Sequence, residues 1–287
     1  MEINCRAIKL LILLGATFLF ASPTDSASIV SDSKSPSRCG QVLTSNYGII
    51  SYKPNETYIP NERCVWIIRV ENATSFDFTF SHMGYPQNDY NTKIITFEFH
   101  SLHEYWPSLG TRNIPGNVAV VTFSTSSNPN SVHQGFTMTY LAITANEPII
   151  SPASTDYISS YREAYISHPS NGALYTNNEI NLIIITPDFI HVPGTTIELN
   201  FTRLELAGDN CTDRILVSAF NTDLIPSGSW STGGDDSAQV ICNDHGTIGL
   251  GTFDMMMMVF ITQSEKEAAG IEFTYSSDIP ILESDLI

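Results

Sequence analysis

Alternating apolar and polar residues mark several short strands along this chain. Residues 76–80 alternate phenylalanine with polar residues, and residues 95–99 and 136–140 repeat the pattern. A period of two is typical of a strand with one buried face. Runs rich in Pro, Gly and Asn separate these strands, and no window holds the period of a helix. The pattern therefore predicts an all-β chain.

One stretch of the chain occurs twice. Residues 58–68 read YIPNERCVWII, and residues 175–185 read YTNNEINLIII. The aligned pairs are Tyr58 with Tyr175, Asn61 with Asn178, Glu62 with Glu179, Cys64 with Asn181, and Trp66 with Ile183. The closing strands also match, as GFTMTY at 135–140 and GIEFTY at 270–275. The repeat predicts two related units, and 287 residues suffice for two domains with separate cores.

The first 28 residues have the features of a secretory signal peptide. Arg6 and Lys9 precede the apolar run 10–20, and small residues follow it, which predicts cleavage between residues 21 and 28. A membrane anchor is the alternative interpretation, but the apolar run is too short to span a bilayer comfortably. We therefore expect a secreted, extracellular protein without a membrane anchor.

Four cysteines remain once the signal peptide, with its Cys5, is removed: Cys39, Cys64, Cys211 and Cys242. An even number of cysteines in a secreted chain implies two disulfides, for which three connectivities are possible. Two repeated units favour one disulfide in each, Cys39 with Cys64 and Cys211 with Cys242. Metal binding is the weaker alternative, because no Cys-x-x-Cys spacing exists.

Four glycosylation sequons fit the same compartment. They begin at Asn55, Asn72, Asn200 and Asn210, and we expect glycans on the first three, since Cys211 next to Asn210 can hinder the transferase. The net charge of −17 argues against nucleic acid and anionic membranes as partners. Solubility is a simpler explanation of that charge than an acidic recognition face.

These motifs together resemble the CUB domain. The resemblance rests on Cys-Gly, Gly-x-Ile-x-Ser and Tyr-x-Pro-Asn-x-x-Cys-x-Trp-x-Ile within residues 39–68, closed by Gly-Phe-x-x-x-Tyr at 135–140. Residues 39–142 resemble one CUB domain, and residues 158–277 resemble a second, divergent copy. A linker at 143–157 and a tail at 278–287 complete the chain. The resemblance implies two jelly-roll-like antiparallel β-sandwich domains in tandem.

CUB domains usually have two disulfides, and each copy here keeps one. The first copy keeps what resembles the family's first pair, Cys39 and Cys64, and the second copy keeps what resembles the second pair, Cys211 and Cys242. Cysteines are therefore missing in pairs, which leaves no unpaired thiol in an oxidising compartment.

The resemblance also implies a calcium site in the second copy. Many CUB domains hold calcium with a Glu, an Asp near the third cysteine and a second Asp after the penultimate strand. The matching positions here are Glu205, Asp213 and Gln263, so the third ligand is neutral. Two exposed acids on a loop are the simpler interpretation. We expect either no binding or a dissociation constant on the order of 10⁻⁴–10⁻³ M, and we expect no required cofactor.

Two segments match catalytic sets only in part. The sequence GGDDS at 233–237 lacks the glycines that follow the serine of a serine-protease nucleophile loop, and no segment supplies the base. His100 and His103 are three residues apart, but zinc would need a third ligand. A polar loop and strand-end histidines are the simpler interpretations.

The sequence thus predicts a secreted, non-enzymatic tandem CUB protein that binds another extracellular protein or a glycan. The first alternative is a regulatory or inactive relative of CUB-bearing extracellular proteases that occupies their partners. The second alternative is an enzyme, which would need hydrolysis that survives purification and is lost with one point mutation.

Overall fold

The structure is a computed structural model, and it describes residues 39–86, 91–125, 128, 133–187, 196–207, 211–220, 239–242 and 255–278. The strands of the first half are β1 (Gln41–Leu43), β2 (Tyr47–Thr57), β3 (Arg63–Arg69), β4 (Ala73–Met83), β5 (Thr92–Phe97), β6 (Leu102–Tyr105), β7 (Gly110–Pro115), β8 (Val118–Ser124) and β9 (Gln134–Thr144). Those of the second half are β10 (Asp156–Ser159), β11 (Glu163–His168), β12 (Ile180–Ile185), β13 (Thr196–Glu205), β14 (Arg214–Phe220), β15 (Gln239–Ile241), β16 (Met255–Ile261) and β17 (Gly270–Asp278), with a 3₁₀ turn at Ser170–Gly172.

The first half forms a sandwich of two sheets. One sheet has the strand order β1-β3-β8-β5-β6 and the other β2-β9-β4-β7. Their facing sides bury aromatic residues of both sheets, among them Trp66, Phe76, Phe78, Phe123 and Phe136. Such interdigitating inner faces form the core of a β-sandwich.

The second half repeats this arrangement. Its larger sheet has the order β10-β12-β16-β14-β15, the counterpart of β1-β3-β8-β5-β6, and its smaller sheet has the order β11-β17-β13. In each half one short edge strand, β1 or β10, runs parallel to its neighbour, and the other pairings are antiparallel. The prediction of two antiparallel β-sandwiches in tandem is confirmed.

The last strand of the first half, β9, ends at Thr144, and the first strand of the second half, β10, begins at Asp156. The boundaries 39–142, 143–157 and 158–277 stay predictions. The signal peptide at 1–28 and residues 279–287 of the tail lie outside the described residues. Within the described ranges, no helix has the length and apolar character needed to cross a bilayer.

The two larger sheets pack against each other through a second apolar face. This face, here called the inter-repeat face, consists of thirteen buried side chains: Val65, Ile67, Ile95, Phe97, Val118, Val120, Ile180, Leu182, Ile184, Met255, Met257, Val259 and Ile261. Burying one such side chain contributes about 1.5–3 kcal/mol. The two sandwiches therefore form four stacked layers held by a continuous apolar contact.

Hydrogen bonds close one end of the inter-repeat face. Arg69 in β3 forms an ion pair with Asp156 in β10, with 2.6 Å between Nη2 and Oδ1, and also donates to the carbonyl of Ile180. Arg214 in β14 donates from Nη2 to the carbonyl of Phe99 at 2.6 Å. These charge-assisted bonds fix the relative position of the two sheets.

Candidate functional site

A polar corner precedes β3 in the first repeat and the equivalent strand β12 in the second. Asn61 and Asn178 adopt left-handed backbone conformations, with φ of 64° and 60°. Asparagine tolerates this region better than most residues, which accounts for its place in both copies. In the first repeat, Thr125 accepts the amide of Glu62 through Oγ1 at 2.8 Å. In the second repeat, Oγ1 of Thr262 accepts the amide of Glu179 at the same distance, so the two corners share the same hydrogen bond.

The buried glutamate of each corner has different partners. Glu62 accepts the hydroxyl of Tyr52 at 3.0 Å and pairs with Lys53. Glu179 is fully buried and accepts His168 Nε2 at 2.6 Å, both the amide and hydroxyl of Thr176, and the Asn181 amide at 3.0 Å. These donors satisfy both carboxylate oxygens, as a buried charge requires.

The Glu179 carboxyl makes stability depend on pH. Burial alone would raise its pKa, but the hydrogen bonds from His168, Thr176 and Asn181 outweigh burial and lower the pKa below the ordinary 4.5. A lowered pKa in the folded state contributes stability above the ordinary value, and the contribution is lost as pH falls through the lowered value.

We therefore expect Glu179→Gln to lower the free energy of unfolding at neutral pH and to reduce its decline on acidification below about pH 4.5. Urea unfolding at a series of pH values measures this. Glu205→Gln, at an exposed position, is the control. If the free energy of unfolding of Glu179→Gln falls as steeply with acidification as that of the wild type, other groups account for the pH dependence.

The three residues of the predicted calcium site lie in different settings. Asp213 is 1% exposed, and its Oδ1 accepts the amides of Gln263 and Ser264, each at 2.8 Å. Its Oδ2 accepts the hydroxyl of Tyr175 at 2.7 Å. Glu205, in contrast, is exposed at the end of β13. Asp213 therefore acts as an internal hydrogen-bond acceptor that ties three segments together.

This arrangement does not fit a calcium ion. The Oε1 of Gln263, the neutral ligand of the predicted set, lies 3.5 Å from Nη1 of Arg214, so a cation already faces that oxygen. Its Nε2 lies 3.0 Å from Nε2 of His100. Calcium prefers several converging oxygens, and among the described residues no group of three His, Cys, Asp or Glu side chains could hold a metal. That calcium binds weakly or not at all stays a prediction for experiment.

The structure joins Cys39 to Cys64 and Cys211 to Cys242, with Cα–Cα distances of 5.2 and 5.3 Å. The first disulfide ties the segment before β1 to β3. The second ties the segment before β14 to the end of β15. These are the pairs that the two repeats favoured in the sequence.

The side chains around His103 do not form a proton relay. Ser101 donates to Glu98, and its Oγ lies 3.4 Å from Nε2 of His103. Glu98 approaches that same ring nitrogen at 3.8 Å. In a Ser-His-Asp type triad the acid holds the opposite nitrogen, so these three cannot act as one. His100 lies against Gln263 instead, and residues 233–237 lie outside the described residues.

The sequons differ in exposure. Asn55 and Asn200 are exposed on strands β2 and β13, whereas Asn72 is half-buried in the turn before β4. Asn210 lies outside the described residues. The glycosylation of each sequon stays a prediction.

We expect amidase treatment of protein secreted from animal cells to remove glycan mass from Asn55, Asn72 and Asn200, because the transferase needs an accessible sequon. Peptide mapping after the treatment identifies each site. The variant Thr202→Ala should remove the Asn200 glycan alone and is the internal control. Unchanged mass after treatment would contradict the expectation.

An exposed apolar patch lies on the outer face of the four-stranded sheet. Tyr47 in β2 pairs directly with Leu141 in β9, and Ile143 follows two residues later on the same face. These side chains are 44%, 46% and 42% exposed. In the next strand, Asp77 pairs with Leu141 and adds a carboxylate beside the patch. This patch was not predicted from the sequence, although Leu141 and Ile143 extend the alternation of β9 to its exposed side.

Comparison with known proteins gives fold-level similarity only. No protein-family profile and no curated protein sequence matches the chain. Among solved structures, the CUB1-EGF-CUB2 domain of human MASP-1/3 is 14% identical, with a TM-score of 0.31, over 82% of this chain and 100% of that one. The CUB1-EGF-CUB2 domains of rat MASP-1 give 13% identity and the same TM-score, over 82% and 99%. The full extracellular region of zebrafish Gpr126/Adgrg6 gives 16% identity and a TM-score of 0.31, over 87% of this chain and 38% of that one. At these values the similarity does not assign the chain to a family.

Proposed function

We propose that this chain is a secreted, non-enzymatic binding protein whose partner is another extracellular protein. The observation that carries the proposal is the exposed patch of Tyr47, Leu141 and Ile143 on the outer face of the four-stranded sheet. Exposed aromatic and aliphatic side chains that lie together on a sheet are typical of protein-binding surfaces. Two disulfides support an oxidising, extracellular compartment.

The chemistry of the patch suggests what the partner presents. Tyr47 and Leu141 offer apolar area, and Asp77, which accepts a hydrogen bond from Asn113 at 2.7 Å, offers a negative charge at its border. A partner that combines apolar side chains with a neighbouring Lys or Arg would complement both features.

The test is affinity capture from native extracellular fluid with the immobilised full chain, followed by mass spectrometry. The variant Tyr47→Ser/Leu141→Ser should lower recovery of the partner about tenfold or more, because truncation of central anchors costs 2 kcal/mol or more. The matched control Tyr165→Ser/Leu174→Ser removes similar exposed area from the second repeat, where these side chains are 58% and 52% exposed.

Partners that both variants recover as well as the wild type would overturn the proposed surface. Extracellular proteases among the partners lost from the first variant would favour the alternative of a regulatory or inactive relative of CUB-bearing proteases. A partner that free sugars release from the wild type, and that the first variant still recovers, would instead indicate glycan binding.

A further inference from the structure

The second repeat has a hydrogen bond where the first has a disulfide. Gln41 pairs with Trp66 and Tyr157 pairs with Ile183, so the parallel edge strands have the same register in both repeats. Counting back two residues in each edge strand places Thr155 where Cys39 stands, and Asn181 takes the place of Cys64.

The second tie consists of two contacts. The amide of Thr155 donates to Oδ1 of Asn181 at 2.5 Å, and its hydroxyl lies 3.3 Å from the same oxygen. A covalent tie in the first repeat is thus replaced by a polar tie in the second, and a polar tie can open and close reversibly.

A histidine lies against this polar tie. His168 pairs with Ile271 as Tyr52 pairs with Phe136, so the two residues occupy equivalent places and each donates to the glutamate of its own corner. The carboxylate of Glu179 accepts only, which fixes a proton on Nε2 of His168. The other nitrogen, Nδ1, lies 3.4 Å from the hydroxyl oxygen of Thr155.

The hydroxyl of Thr155 has one hydrogen and two neighbours that can accept it. When Nδ1 of His168 is unprotonated, it accepts that hydrogen. When Nδ1 is protonated, it donates to the hydroxyl oxygen instead, and the hydroxyl hydrogen turns to Oδ1 of Asn181. Protonation of His168 therefore adds a bond to the tie and places an imidazolium beside Glu179.

The tie is continuous with the contact between the repeats. Asp156 follows Thr155, accepts the amide of Leu182 at 3.3 Å through Oδ1, and forms the ion pair with Arg69 of the first repeat. A change in how Thr155 is held is therefore transmitted through one peptide unit to Arg69.

We propose that His168, Thr155 and Asn181 form a pH-sensitive latch that holds edge strand β10 and its ion pair with Arg69 more tightly at mildly acidic than at mildly alkaline pH. Histidine is the side chain that usually changes charge between pH 5 and 8. Loss of the Nδ1 proton as pH rises removes the Thr155–Asn181 hydroxyl bond, so β10 loosens in that direction.

The surroundings of His168 include one charge in direct contact. Glu179 meets Nε2, and the Asn181 amide nitrogen lies 3.1 Å from that same nitrogen. Thr155 meets Nδ1, the ring of Phe260 in β16 packs at 5.3 Å between ring centres, and Ile271 in β17 lies opposite in register. The charges of Asp156 and Arg69 lie beyond Thr155. The latched state needs a proton on both ring nitrogens, so it is the state of the more acidic solution.

Hydrogen exchange of the full chain, read by mass spectrometry and corrected for the intrinsic pH dependence of exchange, tests the latch. Amides of residues 156–159 should be about three- to tenfold less protected at about pH 8 than at about pH 6, which is the effect of one net hydrogen bond. His168→Tyr, which installs the donor that the first repeat uses, should remove this difference. His103→Gln, at a half-exposed histidine of the first repeat, should keep it.

A second variant tests the same latch independently of His168. Thr155→Cys/Asn181→Cys places cysteines in the register of the first repeat's disulfide, and its oxidised form should protect residues 156–159 equally at both pH values. Equal protection of the wild type at the two pH values would overturn the proposal. So would a pH difference that persists in His168→Tyr or in the oxidised double variant.

Discussion

Leu182→Asp is expected to prevent both repeats from folding, although it changes only the second. Leu182 is fully buried in the inter-repeat face, where a carboxylate would lie among apolar side chains of both sheets. Burying an unpaired charge belongs to the few mechanisms that cost more than about 4 kcal/mol. Secretion of the variant should fall to a small fraction of the wild-type yield.

A milder change measures the coupling at equilibrium. Leu182→Ala should lower the free energy of unfolding by about 2–5 kcal/mol, and hydrogen exchange should report the loss equally in β3 of the first repeat and β16 of the second. The control is Leu174→Ala, at a side chain that is 52% exposed. A first repeat that keeps its wild-type protection while the second loses it would show that the repeats fold independently.

Asp213→Ala is expected to destabilise the second repeat on the order of 3 kcal/mol or more, with or without calcium. The carboxylate accepts the buried Tyr175 hydroxyl and the amides of the half-buried Gln263 and Ser264, and its removal leaves these donors without their acceptor. Each unpaired buried donor costs about 1–3 kcal/mol. Glu205→Ala, at an exposed residue, should change stability by less than about 0.5 kcal/mol.

The same pair of variants decides between an internal acceptor and a calcium ligand. A site with a dissociation constant of about 10⁻³ M would stabilise the wild type by about 1.4 kcal/mol at about 10 mM calcium. We expect no such shift, because Arg214 faces the oxygen of Gln263. A calcium-dependent rise in the wild type that disappears in Glu205→Ala would show that the three residues rearrange around the ion.

Several of the longer strands were predictable from the sequence, but the number of buried faces was not always so: residues 95–99 alternate like a strand with one buried face, whereas every residue of β5 is buried. The phenylalanines of β4 alternate with polar residues, and that strand has one buried face. By contrast, β16 is a continuous apolar run and β12 is apolar except for Asn181, as is typical of strands buried on both sides, and every residue of each is buried. Which surface covers the second side was not predictable, because periodicity records burial but not the identity of the neighbour.

The candidate site was likewise predictable only in part. The spacing of Glu205 and Asp213 matched the resemblance, but spacing does not say which donors a carboxylate meets. The folded chain brings the amides of Gln263 and Ser264 to Asp213 from another strand end. The correspondence of His168 with Tyr52 was likewise hidden, because it depends on strand register and these residues lie outside the matching motifs.

The order of synthesis gives the inter-repeat face a consequence for the cell. Chains emerge from the ribosome at about 5–20 residues per second, and β16, which supplies Met255, Met257, Val259 and Ile261, is made late. Until then the first repeat exposes Val65, Ile67, Val118 and Val120 to solvent without the second repeat to cover them. A nascent chain that stalls between the repeats would therefore bind chaperones or aggregate. We expect chaperones to act on this protein mainly before the second sandwich has folded.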